Sequence, residues 1–118
     1  MTVLNDTDIG DVLAEALTSA RQAAQDSWPA VSELADNIAR SILIDIEYVA
    51  RQKLLGQIDE YGAKIFLEDQ RMVARARLRS LAIVTLQLAE NIINAMLRVF
   101  NAAAQKALGW VLFPVSPV

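Results

Sequence analysis

The chain of 118 residues contains no cysteine and no histidine, and only 4 glycines and 3 prolines. Without cysteine there is no disulfide frame and no thiolate chemistry. Without histidine, the commonest metal ligand and the one side chain that ordinarily titrates near neutrality are both missing. Aromatic residues are scarce at 6%, which disfavours an aromatic-lined ligand pocket. No phosphate loop, nucleophile elbow or Gly-rich turn is present, so neither an enzyme nor a cofactor is expected. The net charge of −3 and a pI near 4.8 speak against general nucleic-acid affinity. The opening MTVLNDTDIG is acidic and lacks a basic lead into an apolar core, so it does not read as a secretory signal, and a cytoplasmic origin is expected.

What is abundant is aliphatic. Hydrophobic residues make up 54% of the chain and mean hydropathy is +0.30, more apolar surface than a thin two-helix module can bury alone. The expected class is a single all-α domain over residues 1–118 that self-associates. A first helix is expected over 8–28, capped from Asn5, Asp6 or Thr7, loaded with Asp8, Asp11 and Glu15 at its positive end, and carrying an inner row of Ile9, Leu13, Ala16, Ala20 and Ala23. At Trp28-Pro29 the proline removes a helical donor and crowds the preceding turn. A second helix then runs over 29–55, with Val31, Leu34, Ala35, Ile38, Ile42, Ile46 and Val49 on one face, and stops at Gly56.

From Asp59 to Leu108 no proline interrupts the pattern, and Gly109 follows the last periodic residue, which predicts one helix about 75 Å long. The segments before Gly56 together match it in length. The expected architecture is therefore a long antiparallel hairpin with one arm kinked at Pro29; the alternative is a three-helix bundle in which the chain breaks at Pro29. Along the long helix, Leu67, Ala74, Leu78, Leu81, Thr85, Leu88, Ile92, Ala95, Val99 and Ala102 form a coiled-coil-like seam interrupted by Arg71. A second row, which includes Leu86, Ile93, Met96, Phe100 and Ala103, lies about 100° away and cannot be covered by the same partner helix. It is assigned to a homo-oligomer interface.

Beside these rows runs a polar stripe of Gln87, Asn91, Asn94, Arg98 and Asn101. A solvated face explains it most simply. Asparagine is nevertheless a poor helix former, so an interhelical hydrogen-bonded seam or a channel lining stays open. Arg71, Arg75 and Arg79 form a basic stripe, with Arg77 beside it, either solvated and paired to Asp36, Asp45, Glu68 and Asp69 or facing a phosphate or acidic partner. Asp45 and Glu47 are expected to pair with Lys64 or Arg71, and Glu90 either stays exposed or meets Arg98 between subunits. A di-iron reading of Asp45, Glu47, Glu68 and Glu90 fails on the missing histidines.

The window 81–100 has membrane-spanning length. Glu90, Arg98 and the amides make spanning costly, so a pore or lysis role for residues 81–113 is the runner-up to a structural role. The tail from residue 109 to 118 cannot be helical past Pro114, and Trp110 and Phe113 make it a docking segment for a neighbour or another structural protein, or else a local lid. The stretches WPAVSELADNIAR, GQIDEYGAKIFLEDQRMVAR and ENIINAMLRVFNAAAQKALGW follow one another as a Trp-Pro step, a Gly-x-Ile turn, an apolar helix with an Asn-Ala motif and an Ala-Leu-Gly ending. In that order the chain resembles small helical proteins encoded by phages and prophages. The resemblance implies a virion or assembly role and carries over no functional residue.

Overall fold

The computed structural model describes residues 9–113; the capping candidates Asn5, Asp6 and Thr7, the acidic Asp8, and the tail prolines Pro114 and Pro117 lie outside them. Among the described residues the chain is all-helical: α1 (Ile9–Ala24), α2 (Trp28–Leu54), α3 (Glu60–Arg79) and α4 (Leu86–Leu108), with a 3₁₀ turn at Gln25–Ser27. The longest extent is 42 Å and the radius of gyration 13.9 Å. A helix of about 75 Å does not fit in that length, nor do α1 and α2 laid end to end. Both long arms are folded back on themselves, and the hairpin becomes a four-helix bundle.

The first reversal is at the proline. Gln25 takes a left-handed backbone conformation, φ 52°, and Pro29 sits in the first turn of a fresh helix, where its missing N–H costs nothing. The expected kink is therefore a full turn, and α1 comes back to pack against α4 and α2. The second reversal divides the expected 59–108 helix. Ser80 closes α3 with its hydroxyl on the Arg77 carbonyl, and Thr85 opens α4 by accepting the Leu88 N–H at 3.1 Å. Ile83-Val84-Thr85 is a β-branched run whose side chains are stiff in a helix, and Val84 is buried in the bundle instead. Folding the stretch in half lets a single chain cover two apolar rows that a straight rod would need a neighbour to cover.

The turn between α2 and α3 is marked in the sequence. Gly56 adopts φ 68°, and Asp59 accepts the Gly62 N–H at 2.7 Å as the cap of α3. The bonds that cross between helices fix their directions. Arg77 reaches Asn37, so α3 runs antiparallel to α2; Arg71 reaches Asn94, so α4 returns alongside α3; and Lys53 donates to the Leu108 carbonyl at 2.8 Å, so α2 and α4 end together. The α1–α4 contact is the most extensive in the fold. Val12, Ala16, Ala20 and Ala24 are buried along it, and the small residues let the helices approach closely.

Candidate interaction surface

The four predicted elements of function lie in different places. The row assigned to an oligomer interface is the chain's own core: Ile93, Met96 and Phe100 are completely buried beneath α1, α2 and α3, Ala103 is partly covered, and only Leu86, at the start of α4, is half exposed. That assignment is corrected. Its premise, that one helix cannot cover two rows, holds, but the second cover is α1 of the same chain. Of the coiled-coil seam, Leu67, Ala74, Leu78, Ile92 and Ala95 are likewise buried in the bundle core, while Thr85 and Ala102 are exposed. The membrane window is corrected as well, because residues 81–85 are not helical and the apolar side of α4 faces inward. Among the described residues no helix is long and apolar enough to cross a membrane.

The polar stripe splits. Gln87 bonds Asn91 on an exposed surface, whereas Asn94 and Asn101 work inside the chain, the former accepting from Arg71 and the latter holding the tail. Arg98 is exposed. Between α3 and α4, two members of the basic stripe form one cluster with Glu90: Arg71 and Arg75 each meet one of its carboxylate oxygens at 3.2 Å, and Arg71 also meets Glu68 at 3.5 Å, whereas Arg79 is exposed and stands outside the cluster. This explains how Arg71 sits within an apolar seam. Its charge is neutralised from both sides, so Glu90, expected either exposed or paired between subunits, instead bridges two helices of one chain. Arg77 uses Asn37; Asp36 pairs with Arg40, Glu47 with Arg51 and Lys64 with Glu60, each within its own helix. The expected Asp45 and Glu47 pairs with Lys64 or Arg71 are absent among the described residues. Asp45, partly buried on α2, has no side-chain partner among the described residues, and burial raises its carboxyl above the ordinary value. The four carboxylates weighed for iron do not converge, and no group of three or more acidic residues among the described residues could hold a metal.

The tail is the third correction. After Gly109, in the left-handed conformation at φ 78°, the chain turns onto its own bundle, where Leu112 and Phe113 are buried. The Asn101 side-chain amide accepts the Phe113 N–H at 2.8 Å and donates to the Phe113 carbonyl, gripping the backbone at two points. Lys53 lies over the Trp110 ring at 5.0 Å while it donates to Leu108, tying α2 to the tail. Over residues 109–113 the tail is a lid on its own chain.

One surface was not anticipated. Of the large apolar side chains left exposed, most sit on the α2–α3 hairpin: Ile44 and Tyr48 on α2, Leu54 and Leu55 at its end, and Tyr61, Ile65, Met72 and Val73 on α3. Tyr61 and Leu54 are each 74% exposed. α3 is apolar on two sides, since Ala63, Leu67, Ala74 and Leu78 turn into the core while Tyr61, Ile65 and Met72 turn away from it. Tyr48 and Phe66, with ring centroids 5.5 Å apart, close the inner edge of this face. An open groove of about 370 Å³ lined by Lys64, Ile65, Glu68, Asp69 and Arg71 runs beside it. The signal lay in the sequence as Tyr61, Ile65 and Met72 at helical spacing, but it was overshadowed by the denser rows of α4. No family model matches the chain, and no curated protein or solved structure matches it either.

Proposed function

We propose that this is a non-enzymatic structural or assembly protein that works by self-association, in the manner of the small phage and prophage helical proteins its sequence resembles, with α3 and the adjoining edge of α2 as the associating face. One observation carries the reading: with the buried polar groups satisfied among the described residues, most of the large apolar side chains left exposed still lie on a single hairpin. Scattered exposed leucines are ordinary in a folded protein, whereas a concentrated apolar face rimmed by charge is the form that protein contact surfaces take. The net charge is −3, and Arg71 and Arg75 are already paired with Glu90 and Glu68, which speaks against a phosphate backbone as the partner.

Light scattering over a range of concentrations, with circular dichroism as the control for folding, tests it. The protein is expected to run above its 13.0 kDa monomer mass. Replacing Ile65 or Met72 with Glu is expected to give a fully helical monomer, because neither side chain belongs to the core. A monomer at every concentration in the unaltered protein would defeat the proposal, as would recovery only in detergent, which would favour a lipid surface.

A further inference from the structure

Two charged side chains on the outer face of α3 have no partner among the described residues. Tyr61, Ile65, Asp69, Met72, Ala76 and Arg79 follow one another in steps of three and four residues, so they lie on one stripe of the helix, and all are exposed. Asp69 and Arg79 have no ion pair or side-chain hydrogen bond among the described residues, although Lys64, Glu68, Arg71, Arg75 and Arg77 around them all do. The two stand about 15 Å apart along the helix, and midway between them Met72 is followed by the small Ala76.

This arrangement is complementary to itself when reversed. Two copies of α3 laid antiparallel about a two-fold axis between Met72 and Ala76 bring Asp69 of each against Arg79 of the other. The same register sets each Met72 against the other copy's Ala76, a long side chain against a short one, as helix packing favours. No shift by a turn keeps both charge pairs, so the charges specify register while the apolar residues supply affinity. Ile65 continues the seam toward the groove in which Asp69 lies, and Val73 and Ile44 flank it on the α2 side. Half-exposed side chains of this size present on the order of 100 Å² each, so Ile44, Tyr48, Tyr61, Ile65, Met72 and Val73 offer roughly 600 Å² per chain, approaching the roughly 800 Å² per partner of a standard interface.

We infer that the occupant of the α2–α3 face is a second copy of this chain, bound through an antiparallel two-fold α3–α3 contact whose register is set by reciprocal Asp69–Arg79 pairs. This rests on the self-association proposed above and specifies its geometry. It is tested by charge exchange. Asp69→Arg sets two arginines against each other twice in a homodimer, and Arg79→Asp does the same with two carboxylates, so each variant is expected to bind itself at least tenfold more weakly than the unaltered chain. Mixing the two variants in equal amounts restores both pairs, as does combining the substitutions in one chain, and both are expected to recover the original mass by sedimentation equilibrium. Circular dichroism should be unchanged throughout, since neither side chain has a partner to lose among the described residues. Single variants that associate as well as the original, or a mixture that stays monomeric, would overturn the register; if Met72→Glu still disperses the assembly in that case, self-association through this face survives while the two-fold geometry does not. A wild-type chain that is monomeric throughout would end both.

Discussion

Replacing Phe113 with Ala tests whether the tail is a lid on its own bundle. The ring is 1% exposed, as is Leu112 beside it, and the backbone of Phe113 is held at both its N–H and its carbonyl by Asn101. Truncating a buried Phe in a rigid core costs about 3–5 kcal/mol through lost transfer energy and the cavity left behind. Here the segment follows a glycine and can lift, recovering about 1–2 kcal/mol of backbone entropy for each residue released, so the net loss is smaller, about 2–3 kcal/mol. For a domain of this size that corresponds to a fall in melting temperature of about 8–12 °C. Asn101→Ala should cost less, about 1–2 kcal/mol, because two hydrogen bonds are lost but the freed backbone groups can reach water. The assay is thermal unfolding followed by circular dichroism, with native mass measured beside it. A melting temperature within 2 °C or so of the original would refute the reasoning, and a reduced mass at unchanged stability would put the tail on a neighbouring subunit instead.

The remaining expectations separate core from surface and assign a sign to the partly buried charges. Ile93→Glu and Phe100→Glu place an unpaired charge at fully buried sites, a cost of several kcal/mol against a total stability of about 5–15, so loss of helical signal is expected; a folded monomer would return the α4 row to an interface. Glu90→Gln removes the shared partner of Arg71 and Arg75; since the three side chains are 23%, 23% and 42% exposed, the loss is about 1 kcal/mol, fading as salt rises, and an unchanged melting temperature at low ionic strength would contradict the bridge. Asp45 is raised by burial, so the folded chain holds that proton more tightly than the unfolded one, and stability falls as pH climbs from the ordinary carboxylate value through the raised one. Asp45→Asn should therefore raise the melting temperature at pH 7 and do nothing near pH 3, whereas a loss at pH 7 would mean that the carboxylate has a partner.

The helical class, most helix ends and much of the core are legible in the residues. Gly56, Asp59 and Gly109 mark ends because a left-handed backbone or a side-chain cap is a local requirement that the residue itself meets. Val31, Ala35, Ile38, Ile42, Ile46 and Val49 are buried along α2 because a helical period is written directly into the chain. The break at residues 80–85 is not marked in that way. Ser80 and Thr85 are weak punctuation, and the apolar period runs on through Leu81 and Ile83, so nothing local separates a straight helix from a folded one.

The sequence by itself determined that two apolar rows on the 81–108 stretch need two covers; only the tertiary structure decided that both covers come from the same chain. The reason is entropic as well as geometric: an intrachain partner needs only a loop to close, whereas a second chain must give up translational and rotational freedom, so reversals at Gln25–Ser27 and Ser80–Thr85 can satisfy the rows before any oligomer forms. Glu90, Arg71 and Asn101 acquired their roles in the same way, because which charge or amide meets which depends on the fold-back rather than on spacing along one helix. With α4 turned inward, the outer stripe of α3 is what remains. Its residues were always in the sequence, but whether Tyr61, Ile65 and Met72 face a core or water is set by the packing of the other three helices around them.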